Sequence, residues 1–304
     1  MATTYSLAAL ARKAGHKQAK TSLPVIASRN ADRQALRRIV LSVVDGGAEE
    51  RQRLLWLANA AQSAITHDDI GLDGGMRDFR ASQQSRLGRA TVAIRGWVSK
   101  VAARFDMQWV KAVKLALGVD IAPLVQAGDL QGVLALVTQR LTTHIKGLAD
   151  DVANRIEAGL IDLITRGAST KAKAAVMVEA VAKARKAAEQ AAKRETETLH
   201  AVLNQFRQQQ AGIKEYSWWT RDDLRVRGRP DGLYPKSRPS HWARHGGVFS
   251  WSRPPEGGHP GEAYGCRCAA RPVVTVAPVK PAPDPNRARL AGLRAVAGEF
   301  GLSL

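Results

Sequence analysis

The chain has 304 residues, with 46 lysines and arginines against 27 aspartates and glutamates, a formal charge of +19. That length accommodates one large domain or two modest ones with a real core, and the charge favours acidic partners such as nucleic acid. No apolar run reaches the roughly 18 residues that span a bilayer, the N-terminus has no secretory pattern, and two cysteines make no disulfide framework, so a membrane partner is excluded and a reducing cytoplasm is expected.

Residues 1–35 are polar and basic, and Leu23-Pro24 interrupts any helix there. They are expected to form a basic arm, with Arg12, Lys13, Lys17 and Lys20 as candidate DNA contacts. An N-terminal helical domain follows over 36–130. Its first helices run through Leu36, Ile39, Val40 and Val43, then, after a Gly46-Gly47 turn, through Leu54, Leu55 and Leu57. Residues 67–90 are rich in glycine, aspartate and arginine and read as a solvated loop. The run Asp68-Asp-Ile-Gly-Leu-Asp-Gly-Gly75 lacks the acid pattern of a calcium loop. Two more helices are predicted near 90–117 and 120–148, the first with Val92, Trp97, Val101, Phe105, Trp109, Val113 and Leu117 on one stripe.

The helical signal is strongest over 131–211. Val133, Val137, Leu141, Ile145, Leu148, Val152, Ile156, Leu160 and Leu163 recur every three or four residues. Gly167-Ala-Ser-Thr170 ends one helix and offers Ser169 or Thr170 as the next cap. A second, alanine-rich helix runs over 171–210 until Gly212, which completes a long hairpin.

Beyond Gly212 the composition changes to Gly, Pro, Trp and Arg. Short strands are predicted at 214–220, 246–251 and 267–276, with long loops between them. The fold class is therefore mainly α, a long helical hairpin followed by a small C-terminal α+β module over 212–275. Residues 276–304 read as a Pro-rich linker and a short final helix.

Chemistry concentrates in that module. Four of the seven tryptophans fall between 218 and 251, and both cysteines stand in Cys266-Arg-Cys268. Tyr216 and Trp218 alternate with Ser217 and Trp219 as on a strand. Asp223, Arg225 and Arg227 can fix a loop by charge-assisted pairs, or present arginines beside aromatics to nucleic acid. Cys266, Cys268 and His241 are candidate zinc ligands, with His245 and His259 as further donors. The rival readings are two reduced core thiols or a thiol pair that oxidises. Asp222, Asp223 and His241 are the acid and base types of a nuclease. Without a phosphate loop, a His-Glu-x-x-His or a Gly-x-Ser-x-Gly, no enzymatic activity is expected.

The order of these elements resembles the phage Mu F-like family of head morphogenesis domains. A long helix ends at Gly212-Ile213. Tyr216 and Trp218 follow, then Asp223 with Arg225-Val-Arg227, Arg238-Pro-Ser-His241, Gly247, Phe249 and Trp251, and Cys266-Arg-Cys268. The resemblance covers about 131–275. One departure is the insertion of Gly228 to Ser237 where relatives run almost directly into the Pro-x-His element. The resemblance implies a minor head protein of a tailed phage, residing in the virion and, during assembly, in the host cytoplasm. Its implied partners are the portal protein, the major capsid or scaffold protein, and packaged DNA. The alternative is a sequence-independent nucleic-acid-binding protein with a zinc module. An effector reading would need a toxin domain, and only a short tail follows position 275.

Overall fold

The computed structural model describes residues 4–45, 48–63 and 70–276. The Gly46-Gly47 turn, Asp68-Asp69, and the linker and final helix expected over 277–304 lie outside the described residues. Helices α1 (Leu7–Lys13), α2 (Asn30–Val44), α3 (Ala48–Ser63), α4 (Ile70–Leu117), α5 (Gln131–Thr165) and α6 (Thr170–Gln210) pack around one apolar core. The strands are β1 (Lys20–Ser22), β2 (Glu215–Trp219), β3 (Val248–Ser250) and β4 (Ala269–Thr275). They form one antiparallel sheet in the order β1-β4-β2-β3.

The expected hairpin is present. Helix α5 buries Val137, Leu141, Ile145, Val152, Ile156 and Leu160 on one stripe. The Ser169 hydroxyl then accepts from Ala172 N at 3.4 Å and caps α6. Small residues Ala180, Ala184, Ala188 and Ala191 are buried along α6, which lets its neighbours approach closely. Gly212, at φ +69°, takes the left-handed conformation that ends α6, and its N–H reaches the Gln209 carbonyl at 3.0 Å.

Four features differ from the sequence expectation. Residues 70–90 are not a loop: α4 is continuous over 48 residues. Its turn-forming glycines and aspartates are outweighed by Leu72, Met76, Phe79 and Leu87, which are buried against neighbouring helices. Within α4, Trp97, Val101, Phe105, Trp109, Val113 and Leu117 are buried as expected, but Val92 is 70% exposed and Ile94 takes its place in the core. The helix expected over 120–148 begins only at Gln131. Pro123 sits in one of two 3-10 turns, Ala122–Leu124 and Ala127–Leu130, that precede it.

Residues 1–35 are also more than an arm. Leu7, Ala11 and Leu23 are fully buried. Strand β1 pairs with β4 through Lys20 opposite Thr275 and Ser22 opposite Val273. Arg12, Lys13, Lys17 and Lys20 all remain exposed.

Polar side chains lock the layers together. Arg207 on α6 is wholly buried and donates from Nε and Nη2 to both oxygens of Asp106 on α4, at 2.8 and 2.6 Å. Its Nη1 donates to Gln210 Oε1 at 2.6 Å, and Gln210 donates to Asp129 at 2.6 Å. Asn204 and Gln208 donate to the Ala270 carbonyl at 2.7 and 3.0 Å, which ties α6 to β4. Near the middle of α6, Glu195 joins α5 to α6 by accepting from Arg140 at 2.7 Å and lying 3.2 Å from His144 Nδ1.

Candidate metal centre

Strand β2 alternates as expected: Tyr216 and Trp218 are fully buried, while Trp219 on the other face is 40% exposed. With Trp251, Phe249 and Ala270 they form a second, aromatic core between the sheet and α6. Trp251 Nε1 donates to Gln208 at 3.1 Å, and the Tyr216 hydroxyl is 2.8 Å from His259 Nδ1. Burial pushes the Tyr216 phenol above its usual range.

This aromatic block supports one wall of the cysteine pair. The His241 ring meets the edge of Trp218 with centroids 5.2 Å apart. His241 is placed by the chain on either side of the inserted loop. The Arg227 carbonyl accepts from Trp242 N at 3.0 Å, so residues 228–237 double back and leave His241 next to the Arg-Val-Arg element. Tyr234 and Ser237 of this loop line the cleft that opens over the cysteine turn.

Cys266 is buried and Cys268 half-buried, and neither forms a disulfide. His241 Nδ1 lies 3.5 Å from the Cys266 sulfur and 3.6 Å from the Cys268 sulfur. Gly261 N also points to the Cys266 sulfur, at 3.4 Å. Gly261 has φ +93°, and a Cβ there would fall 2.4 Å from Ala201 Cβ, so only glycine lets this loop close on α6. The Cys266 thiol is pushed well below the usual range, first by the hydrogen bond with Cys268 and also by His241. Cys268 is pushed up, first by Cys266 itself, so the pair favours one thiolate and one thiol.

The three ligand atoms lie within 4.8 Å of one another. Tetrahedral zinc, with Zn–S of about 2.3 Å and Zn–N of about 2.0 Å, would separate sulfur from nitrogen by roughly 3.5 Å. The observed spacings fit that geometry, and the donors are of the preferred Cys and His type. His245 and His259, considered as further ligands, are committed elsewhere. His245 Nδ1 accepts from Thr220 N at 3.2 Å, and His259 pairs with Tyr216. Among the described residues the cluster is thus a three-ligand set.

Asp223 reaches the same place from the far side. Arg267, between the two cysteines, donates to Asp223 Oδ1 at 2.6 Å, and Arg225 N donates to Asp223 at 2.9 Å. Burial pushes the Asp223 carboxyl up, but these bonds outweigh it and leave the carboxyl below the usual range. Asp222 is taken by Arg229 at 2.7 Å. Asp223 is thus held in the module, whereas the Asp222 side chain, 87% exposed, makes only a surface ion pair. Arg227 donates to the Tyr264 carbonyl, which fastens the Arg-Val-Arg element to the loop before Cys266. Of the residues singled out in the sequence, Tyr216, Trp218, Asp223, Arg225, Arg227, His241, Phe249, Trp251, Cys266 and Cys268 converge on this module. Arg12, Lys13, Lys17 and Lys20 lie outside it, on α1, β1 and the turn between them.

Sequence reasoning missed three neighbours. Lys193 and Arg194 on α6 line a cleft over the cysteines, and the buried His200 lines a second cavity behind them. A helical run of mixed charge carries no signal that two of its residues face a loop 70 positions away. Arg267 was legible as the residue between the cysteines, though not as the partner of Asp223.

Residues 154–271 match the family described as phage Mu protein F like protein, which supports a phage head morphogenesis domain in this segment. The match begins within α5 and ends within β4, a shorter span than the 131–275 suggested by the motifs. An uncharacterized protein of Haemophilus influenzae (strain Rd) is 26% identical over 194 residues, which cover 63% of this chain and 41% of that protein. The chain thus spans about two-fifths of the length of that relative. No solved structure matches. No described helix is long and apolar enough to cross a membrane.

Proposed function

We propose that this chain is a minor structural protein of a tailed-phage head, seated at the portal vertex and assisting assembly, DNA packaging or ejection without catalysing a reaction. The observation that carries the reading is the phage Mu protein F like match over 154–271, which spans the end of α5, all of α6, the aromatic block and the cysteine turn. The exposed face of α5 and α6 is the proposed portal-facing element. Major capsid or scaffold protein are further partners in this reading, and the +19 charge suits it to packaged DNA. The non-enzymatic part draws on the structural and morphogenetic character of the matched family.

Cys266, Cys268 and His241 are proposed to hold zinc in a structural role. The ion would tie the cysteine turn to the loop carrying His241, in a module with little aliphatic core. A second reading, a sequence-independent nucleic-acid-binding protein with a zinc module, draws on the same cluster and on the charge.

Quantitative mass spectrometry of particles assembled from the genome encoding this chain, before and after DNA ejection, tests the first reading. A few copies for each portal ring are expected. Absence from both mature and immature particles would sink the head role and promote the second reading.

A further inference from the structure

A cleft of about 590 Å³ opens above the Cys266-Arg267-Cys268 turn, between one face of α6 and the Arg-Val-Arg loop. Its lining carries six cations, Lys193, Arg194, Arg221, Arg225, Arg227 and Arg267, and one carboxylate, Glu197. Nearby acids offset part of that charge. Arg194 pairs with Glu195 at 2.9 Å, Arg267 with Asp223 at 2.5 Å, and Arg221 lies 3.9 Å from Glu197. Glu197 is already shared with Arg33 at 3.2 Å. Lys193 and Arg225 form no ion pair among the described residues, and Arg227 spends its contact on a carbonyl, which leaves its charge uncompensated. The Lys193 ammonium is held below its usual range, by burial first and then by Arg267, Arg225 and Arg33. Cations that repel one another around a concave surface mark a place for an anion.

The rim and the back wall carry further recognition chemistry. Tyr264 is 70% exposed, and the Arg194 guanidinium lies 5.2 Å from its ring centroid, so its aromatic surface is held in place and open to solvent. Behind the cysteine turn, a second cavity of about 220 Å³ shares Glu197, Arg221, Cys266, Arg267 and Cys268 with the first. His200 lines it, 7% exposed, with neither ring nitrogen hydrogen-bonded. Burial pushes His200 below its usual range, so it offers one donor and one acceptor as a neutral ring.

We propose that this cleft binds a single strand of nucleic acid, its phosphates on Lys193 and Arg225 and a base stacked on Tyr264. A cleft of this size holds a drug-sized ligand, roughly 300–1,000 Å³, so it takes one or two nucleotides and excludes a duplex. A strand that tracks a basic groove and stacks on aromatics needs no particular sequence. This inference rests on the DNA part of the reading above for its choice of ligand, but not on attachment to a portal, which the particle measurement decides separately.

The test is fluorescence anisotropy of a labelled ten-residue oligo(dT) with the full chain, at 50 and 200 mM salt. Competitors are the same sequence as a duplex, adenosine monophosphate and pyrophosphate. Saturable binding that weakens with salt is expected. Lys193→Ala/Arg225→Ala should weaken it about tenfold or more and flatten the salt slope by about 1.4, at about 0.7 for each single-strand phosphate contact. Arg12→Ala/Lys13→Ala should change it less than about twofold, because these residues lie outside the cleft. Lys193 is half-buried and the other three are exposed, and unchanged melting curves would show that the fold is retained. Tyr264→Ala should weaken binding with little effect on the salt slope, since a stacked base releases no counterion. Absence of oligonucleotide binding would overturn the proposal. So would a duplex competing as well as the strand, or binding lost in the Arg12/Lys13 variant and kept in the cleft variant. Displacement by adenosine monophosphate or pyrophosphate at equal concentration would overturn the strand and assign the cleft to a free phosphate.

Discussion

Cys266 and Cys268 show how much of a site rests on one contact. Their spacing allows both sulfurs to face one ion, but only the fold brings His241, 25 positions earlier, to 3.5 and 3.6 Å from them. The arrangement suits zinc, whose removal from a small module costs folding energy directly. Elemental analysis of the purified chain should therefore find about one zinc, and Cys266→Ser/Cys268→Ser should lose it and melt several degrees lower. A variant that keeps the wild-type melting temperature, together with a wild type that holds no metal, would leave the pair as reduced thiols. Asp223 illustrates the same dependence. In sequence it is one acid in a basic loop, but its place is set by Arg267, 44 positions later, which lies between the two cysteines.

At the scale of elements, α6 connects the molecule. Its first half packs small residues against its neighbours. Its second half buries Glu195, His200, Asn204, Arg207 and Gln208, because the helix is covered there by both the helical core and the sheet. The charged members are tolerated there because they are paired, as Arg207 and Glu195 are. Burial pushes the Glu195 carboxyl up, but His144, Arg140 and Arg194 overcome that and hold it at about 2. Its folded value is thus depressed relative to the unfolded chain. The stability it contributes is fully present above about pH 4.5 and is lost as pH falls toward 2, to a maximum of about 3 kcal/mol. Glu195→Gln should lower stability at pH 7 and flatten the decline between pH 4.5 and 2, measured by denaturant titration at a series of pH values. Parallel declines for wild type and variant would show that Glu195 is not the group responsible.

For the whole molecule, the consequential contact is between the two ends of the described chain. Strand β1 closes one edge of the sheet on β4, and Tyr5 N and Leu7 N donate to the carbonyls of Gln210 and Ala211 at 2.9 and 3.0 Å. The N-terminal segment therefore belongs to the same folding unit as the cysteine module. Removing residues 1–22 would strip the buried Leu7 and Ala11 and three residues of strand pairing. The cost should be about 3 kcal/mol or more, at roughly 1.5–3 kcal/mol for a buried leucine alone. Thermal melting followed by tryptophan fluorescence should report it, since the aromatic core lies next to β4. An unchanged midpoint would mean that the segment is a dispensable arm.

The sequence by itself determined the helical hairpin, a cap at Ser169 or Thr170, the Gly212 stop, the three C-terminal strands, and an order of motifs that resembles the phage Mu F-like family. Each of these is written in local periodicity, in backbone preferences of single residues, or in short spacings. The tertiary structure decided what depends on partners distant in the chain. It turned the glycine-rich stretch after Ile70 into helix, because packing of Leu72, Met76 and Phe79 outweighs weak local propensity. It drew the basic N-terminus into the sheet, where an edge strand finds its hydrogen bonds. It also gathered cations from α6, the Arg-Val-Arg loop and the cysteine turn around one cleft, a convergence no local pattern encodes.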